Sequence, residues 1–232
     1  MEQKNNFFET VFKKVKQHTL FWLMDTKLWF NLLKYTVPFI RLTTYYPHMK
    51  KLTFQKLYNQ LQAGDLVFQV DYDKLTTKVI GGEWSHVGIC VDKGEGKIEI
   101  VDMTHEGFRK TDFFQFCSES SRVAIGRIDD PRWTPEVTKE FLANVWEEDG
   151  SEYNWSFRAK EKYDPRKHGP TTKNGGKVYK FNYCSQLPMV ADKHDIIDAD
   201  WEDLAGLGVP YISPTGLFKA SNMKIVADSD TI

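Results

Sequence analysis

Between Asp65 and Ile128 the chain carries four short strand-like runs: DLVFQV at 65–70, HVGICVD at 86–92, KIEIVDM at 97–103 and VAIGRI at 123–128. In a strand, successive side chains point to opposite faces, so these runs constrain the segment to a sheet with two distinct sides. KGEG at 93–96 has the glycine content of a hairpin loop and predicts that the second and third runs pair antiparallel. Helical signals flank the strands. Thr53 reads as the N-cap of a helix with Phe54, Leu57, Tyr58 and Leu61 on one face and Gly64 as its stop. Thr134, Pro135 and Glu136 open another, with Phe141, Leu142, Val145 and Trp146 as its apolar stripe and Gly150 at its end. The polar stretch 160–177 reads as a long exposed loop, FNYCSQL leads into a helix starting at Cys184, and MKIVAD at 223–228 reads as a last strand. Elements in this order predict an α+β domain, an antiparallel sheet packed against helices.

Charge divides the chain. Residues 1–50 carry eight Lys/Arg against three Asp/Glu, so a basic, aromatic-rich extension precedes a mildly acidic body over 51–232. Within the extension, residues 18–46 are dense in Leu, Phe, Trp and Tyr, but Asp25, Lys27, Lys34, Arg41 and Pro38 interrupt them, which argues against a bilayer span. Two readings stay open: an amphipathic helical pair covering the body, or an arm lying on a membrane surface with Trp22, Trp29 and Phe30 buried. The N-terminus shows no secretory signal, so the expected compartment is reducing and cytoplasmic by default. Three cysteines without a CxxC pair argue against a disulfide framework and against structural zinc, and no metal or organic cofactor is expected. The acidic body has no long basic patch interleaved with aromatics, so nucleic-acid binding is not expected.

Cys184, at an expected helix start, occupies the position where free N–H groups and the helix dipole favour a thiolate and can hold an oxyanion. The competing reading is a small buried residue of an amphipathic helix. A nucleophilic thiol needs a base, and His86 shares one face of its strand with Gly88 and Cys90. Gly88 leaves room there for close approach, while Cys90 reads as core. On the next strand, Asp102 ends the apolar row of Ile98 and Ile100 and is the first candidate to orient the imidazole, with His105 in reserve.

In GDLVF at 64–68, SHVGI at 85–89, IVDM at 100–103, EYNWSF at 152–157, YCSQL at 183–187 and ISPTGL at 212–217, the chain resembles the circularly permuted branch of the NlpC-type cysteine peptidases. That branch includes YiiX-like and lecithin:retinol acyltransferase-like enzymes. The histidine precedes the cysteine here, as the permuted branch has it, and Gln186 stands where the YiiX-like pattern often has Glu. The resemblance implies a papain-like fold with Cys184 as nucleophile, His86 as base and Asp102 as orienting group. It further implies Tyr153 at the oxyanion site, with a plain core aromatic as the alternative. Trp84 and Ser185, beside the histidine and the cysteine, are candidate oxyanion or substrate-binding residues. The implied activity is hydrolysis of a peptide or peptidoglycan-type amide through a thioester. Alternatives are acyl transfer or lipid hydrolysis at a membrane surface, and a non-catalytic binding module. A peptidoglycan amidase acts outside the cell, so the missing signal points instead to a phage or viral setting or to an intracellular substrate.

Overall fold

The computed structural model describes residues 51–72, 77, 82–92, 97–118, 120–153, 172–174, 177–179, 181–200, 202–203 and 210–232. The extension over 1–50, its aromatic segment 18–46 and the KGEG hairpin loop lie outside these residues.

Helix α1 (Lys51–Tyr58) already runs at Lys51, so Thr53 sits inside it and does not cap it. Lys51 and Leu52 are good helix formers, and nothing in them stops the helix there. Its Leu57 is fully buried and Tyr58 stacks on Phe114 with ring centroids 5.3 Å apart. Gly64 lies in the turn beyond this helix and before β1 (Leu66–Val70). Beside it, Asp65 takes Arg127 on both carboxylate oxygens, at 2.7 and 2.8 Å.

The other long strands are β2 (His86–Asp92), β3 (Ile98–Thr104), β4 (Gly107–Asp112), β5 (Arg122–Ile128) and β12 (Met223–Asp228). They form a six-stranded sheet in the order β12-β5-β1-β2-β3-β4, antiparallel throughout, as alternation predicts. Sequence reasoning missed β4 and the short helix α2 (Phe113–Cys117) that follows it. Gly107, with φ near +104°, makes the turn into β4, and a Cβ there would lie 2.6 Å from the Ser151 carbonyl oxygen. That oxygen accepts from the Phe108 N–H at 3.0 Å, tying β4 to the segment after α3 (Pro135–Glu147).

The sheet buries both faces. Leu66, Phe68, Val87, Ile89, Val101 and Met103 pack beneath α3 and the shorter helices α4 (Gln186–Ala191) and α5 (Pro214–Phe218). On the other face, Val67, Cys90, Ile100, Val123 and Ile125 pack with α1 and α2. Helix α3 is capped as expected, Thr134 accepting from Val137 N–H with Pro135 in the first turn. Its Trp146, however, is 37% exposed and stands over Lys110 and Phe108 at the edge of the sheet.

Short strands complete the fold. β6 (Glu152–Tyr153) pairs in parallel with β9 (Phe181–Asn182), and β10 (Glu202–Asp203) pairs with β11 (Pro210–Tyr211). At the end of the stretch expected to be loop, β7 (Thr172–Asn174) pairs antiparallel with β8 (Lys177–Tyr179), Asn174 opposite Lys177.

Gly88 is the tightest point between β2 and its neighbours. A Cβ at this position would lie 2.4 Å from Ile100 Cγ2 and about 3 Å from two ring carbons of Phe116. Gly88→Ala should therefore lose about 1–3 kcal/mol of stability through overpacking, read as a lowered midpoint in denaturant unfolding.

Candidate active site

His86 is the first residue of β2, and its Nε2 lies 2.6 Å from Asp102 Oδ2. Register explains the contact. Gly88 pairs with Asp102 across the β2–β3 ladder, so His86, two positions back on the same face, is the diagonal neighbour of the carboxylate. Phe116 lies beside the imidazole, ring centroids 5.8 Å apart, over the space that Gly88 leaves open. The ring also hydrogen-bonds the Cys184 side chain. With Nε2 on Asp102, Nδ1 is the nitrogen left for the sulfur.

Asp102 is fully buried, and β4 supplies its second partner. Arg109, opposite Asp102 in the β3–β4 register, donates from Nε to Oδ1 at 3.0 Å and from Nη2 to Oδ2 at 2.7 Å. Sequence reasoning did not single out Arg109. The signal was present: alternation through GFRKTD, started by the Gly107 turn, places Arg109 across from Asp102. His105, the reserve orienting residue, lies in the turn after β3, 30% exposed and 3.9 Å from Glu106, whereas Asp102 is the carboxylate in contact with His86.

Cys184 stands two residues before α4, not at its first residue. The Leu187 N–H donates to the Tyr183 carbonyl at 3.1 Å, so the chain already turns helically through Cys184. Ile212 braces the cysteine from both sides: its N–H donates to Tyr183 Oη at 3.3 Å, and its carbonyl accepts from Ser185 Oγ at 2.6 Å. Ser185, expected at the oxyanion or substrate, is 1% exposed and spends its hydroxyl on this brace. Trp84, the other residue expected there, is also inside the protein. It is fully buried against Phe68 and Phe218, with the Arg122 guanidinium 4.7 Å from the ring centroid. Its backbone is pinned by Thr215, whose Oγ1 accepts from Trp84 N–H at 2.9 Å and donates to the Trp84 carbonyl at 3.3 Å, which leaves the indole in the core. Tyr153 lies on β6, paired with Asn182 two residues before Cys184.

Charge separates the three cysteines. Burial, then Asp65 and Asp92, push the Cys90 thiol up, and burial with Asp112 does the same to Cys117. Cys184 is 3% exposed, yet its sulfur has an imidazole partner. For His86, burial disfavours the charged ring, but negative charge on Cys184 and the Asp102 carboxylate outweigh it and push the pKa from 6.5 to about 9. Burial works against the Asp102 carboxylate too, but His86 and then Arg109 hold its carboxyl below the ordinary range. Burial, followed by Cys184 and Tyr183, raises the Tyr153 hydroxyl, which stays a protonated O–H donor near the sulfur. Asp102→Asn should move the His86 ring titration, followed by NMR, down by about 1–3 pH units, since the carboxylate's charge is one of the forces holding the proton.

Residues 60–166 match the family model described as permuted papain-like amidase enzyme, YaeF/YiiX, C92 family. The match includes His86, Asp102, Arg109 and Tyr153, and Cys184 lies beyond it. Among curated proteins no sequence match emerges. Among solved structures, the fold is similar to the metalloprotein yiiX from Escherichia coli O157:H7, with a TM-score of 0.56 at 16% identity, covering 72% of this chain and 97% of that one. Among the described residues here, no three His, Cys, Asp or Glu side chains are grouped to hold a metal ion, and both Asp102 oxygens are engaged by His86 and Arg109, so the donor set does not fit a metal at this site. The body of this chain therefore has the permuted papain-like fold and, over residues 60–166, carries the sequence signature of the YaeF/YiiX-type permuted papain-like amidases.

Proposed function

We propose that the chain hydrolyses an amide bond, in a peptide or peptidoglycan-type substrate, through a thioester on Cys184. The observation that carries this reading is one imidazole hydrogen-bonded at once to a cysteine and to a buried carboxylate. The amidase description of the family matched by residues 60–166 supports the reaction class.

The Cys184 thiolate attacks the carbonyl carbon, and the electron pair moves to the oxygen, with the Tyr153 hydroxyl a candidate donor to it. The His86 imidazolium passes its proton to the amide nitrogen, the C–N bond breaks and the amine leaves. The neutral ring then takes a proton from water as that water attacks the thioester, and the carboxylic acid departs with the thiolate restored. Asp102 keeps the ring turned toward the sulfur and stabilises its charged form through both proton transfers. With the His86 pKa near 9, the ring is charged at neutral pH, as the first proton donation requires.

Cys184→Ala should abolish amide turnover on a peptidoglycan fragment or peptide substrate while leaving the fold intact, and residual turnover in that variant defeats the assignment. In the native protein an iodoacetamide-type probe, mapped by mass spectrometry, should label Cys184 well ahead of Cys90 and Cys117, whose thiols burial keeps protonated. Activity should fall as pH rises through about 9, where the pair gives up its proton, and that limb belongs to Cys184 and His86 jointly.

A further inference from the structure

Among the described residues, Arg109 is a charged group at the site to which the proposed hydrolase mechanism gives no role. Arg109 and His86 bond the same oxygen, Asp102 Oδ2, at 2.7 and 2.6 Å, while Arg109 Nε takes Oδ1. The carboxylate is fully buried, whereas the guanidinium is 40% exposed. A single negative charge is therefore divided between a fixed cation on β4 and a titrating ring on β2.

Among the described residues, His86 has further titratable and polar neighbours on each element packed against it. Strand β1 brings Gln69 opposite it, and β2 itself carries Cys90 beyond Gly88, held as a thiol. Helix α2 brings Phe116, with Cys117 also held as a thiol. Cys184 comes from the segment before α4, and Tyr153, Tyr183 and Tyr211 interact with that sulfur. Apart from Asp102 and Cys184, these groups are neutral near pH 7, and Arg109 is the permanent cation bonded to Asp102.

Resting on the hydrolase reading, we propose that Arg109 is a positioning residue for the dyad: it grips both oxygens of Asp102 and limits the share of that carboxylate reaching His86, so that the ring releases its proton to a leaving amine. A ring facing an unshared buried carboxylate holds its proton more tightly and is a weaker acid in that step. A purely structural role for Arg109 predicts the reverse. Loosening Asp102 weakens its hold on the ring and moves the ring's titration the way Asp102→Asn does.

The test compares the full chain with Arg109→Gln and Arg109→Lys, following the His86 ring by NMR of histidine-labelled protein, with His86→Gln to assign the signal. The expected result is a ring titration about 1 pH unit higher in Arg109→Gln, return toward the wild-type midpoint in Arg109→Lys, and a matching upward move of the alkaline limb of turnover. An unchanged or lowered ring titration in folded Arg109→Gln overturns the proposal. If Arg109→Gln does not fold, Arg109→Lys decides through the same signal. It keeps the charge, so a midpoint within a few tenths of wild type supports charge sharing, and a drop toward the Asp102→Asn value overturns it. The ring titration needs no substrate and is separate from the Cys184→Ala turnover test. Loss of the thioester reading would show there, and failure of the Arg109 role would show here.

Discussion

A carboxylate with no solvent exposure is costly to keep charged, and Asp102 is kept charged by two partners arriving from neighbouring strands, His86 on one side and Arg109 on the other. Removing either partner from a buried ionic group typically costs about 3–5 kcal/mol, more than a surface ion pair contributes. Geometry at this point therefore has to be maintained by the sheet. The antiparallel registers of β2–β3 and β3–β4 do so by placing Gly88, Asp102 and Arg109 in one row across the strands, with His86 diagonal to the carboxylate. Gly88 belongs to the same arrangement, because its missing side chain lets Ile100 and Phe116 close over the row beside the ring.

The thiol reaches this row from a different part of the chain. Its neighbours Tyr183 and Ser185 are both tied to the backbone of Ile212, and the same C-terminal segment pins the backbone of Trp84 through Thr215 just ahead of His86. One short stretch around α5 thus braces the cysteine and the approach to the histidine strand together. Asn144 adds a bond from α3 to the Ala191 carbonyl at the end of α4, and Asp192 accepts the N–H groups of Ile196 and Ile197 just after it. These contacts give ISPTGL a physical purpose: Ile212 holds the residues on either side of Cys184, Thr215 holds Trp84, and Ile212 and Leu217 share a buried cluster with Cys184. They also show how Trp84 and Ser185, close in sequence to the histidine and cysteine, are held: both are buried and bonded to the 212–217 segment.

Strands were legible because an alternating run buried on both sides has few alternatives. β2 and β12 have the residue limits that pattern indicates, and β1, β3 and β5 differ from it by a residue. The cap at Thr134 was legible because Thr-Pro-Glu is a local instruction. Thr53 was misread because a threonine followed by an apolar pattern suits a helix interior as well as a cap. β4 escaped because its GFRKTD run mixes charged residues with apolar ones, and its pairing becomes evident only once β3 is in place beside it. The β7–β8 pair escaped because the sequence around it is polar and lacks the apolar alternation of the long strands.

By itself the sequence determined the strand pattern, the hairpin partnership of β2 and β3, and hence the closeness of His86 and Asp102, since these follow from alternation over short distances along the chain. It also presented Cys184 in a motif that resembles a known family. The tertiary structure decided the rest. Cys184 packs in the cluster on the α3 and α4 face, while alternation turns Gly88, Cys90 and Ile100 toward α1 and α2. His86 begins its strand, paired with Gln69 of β1 and ahead of the first β2–β3 pair at Gly88, and its ring has the sulfur as a partner. Contacts of that kind join residues about a hundred positions apart, and no local preference of the backbone encodes them; they exist only when both faces of the sheet are packed and the C-terminal segment has closed across them.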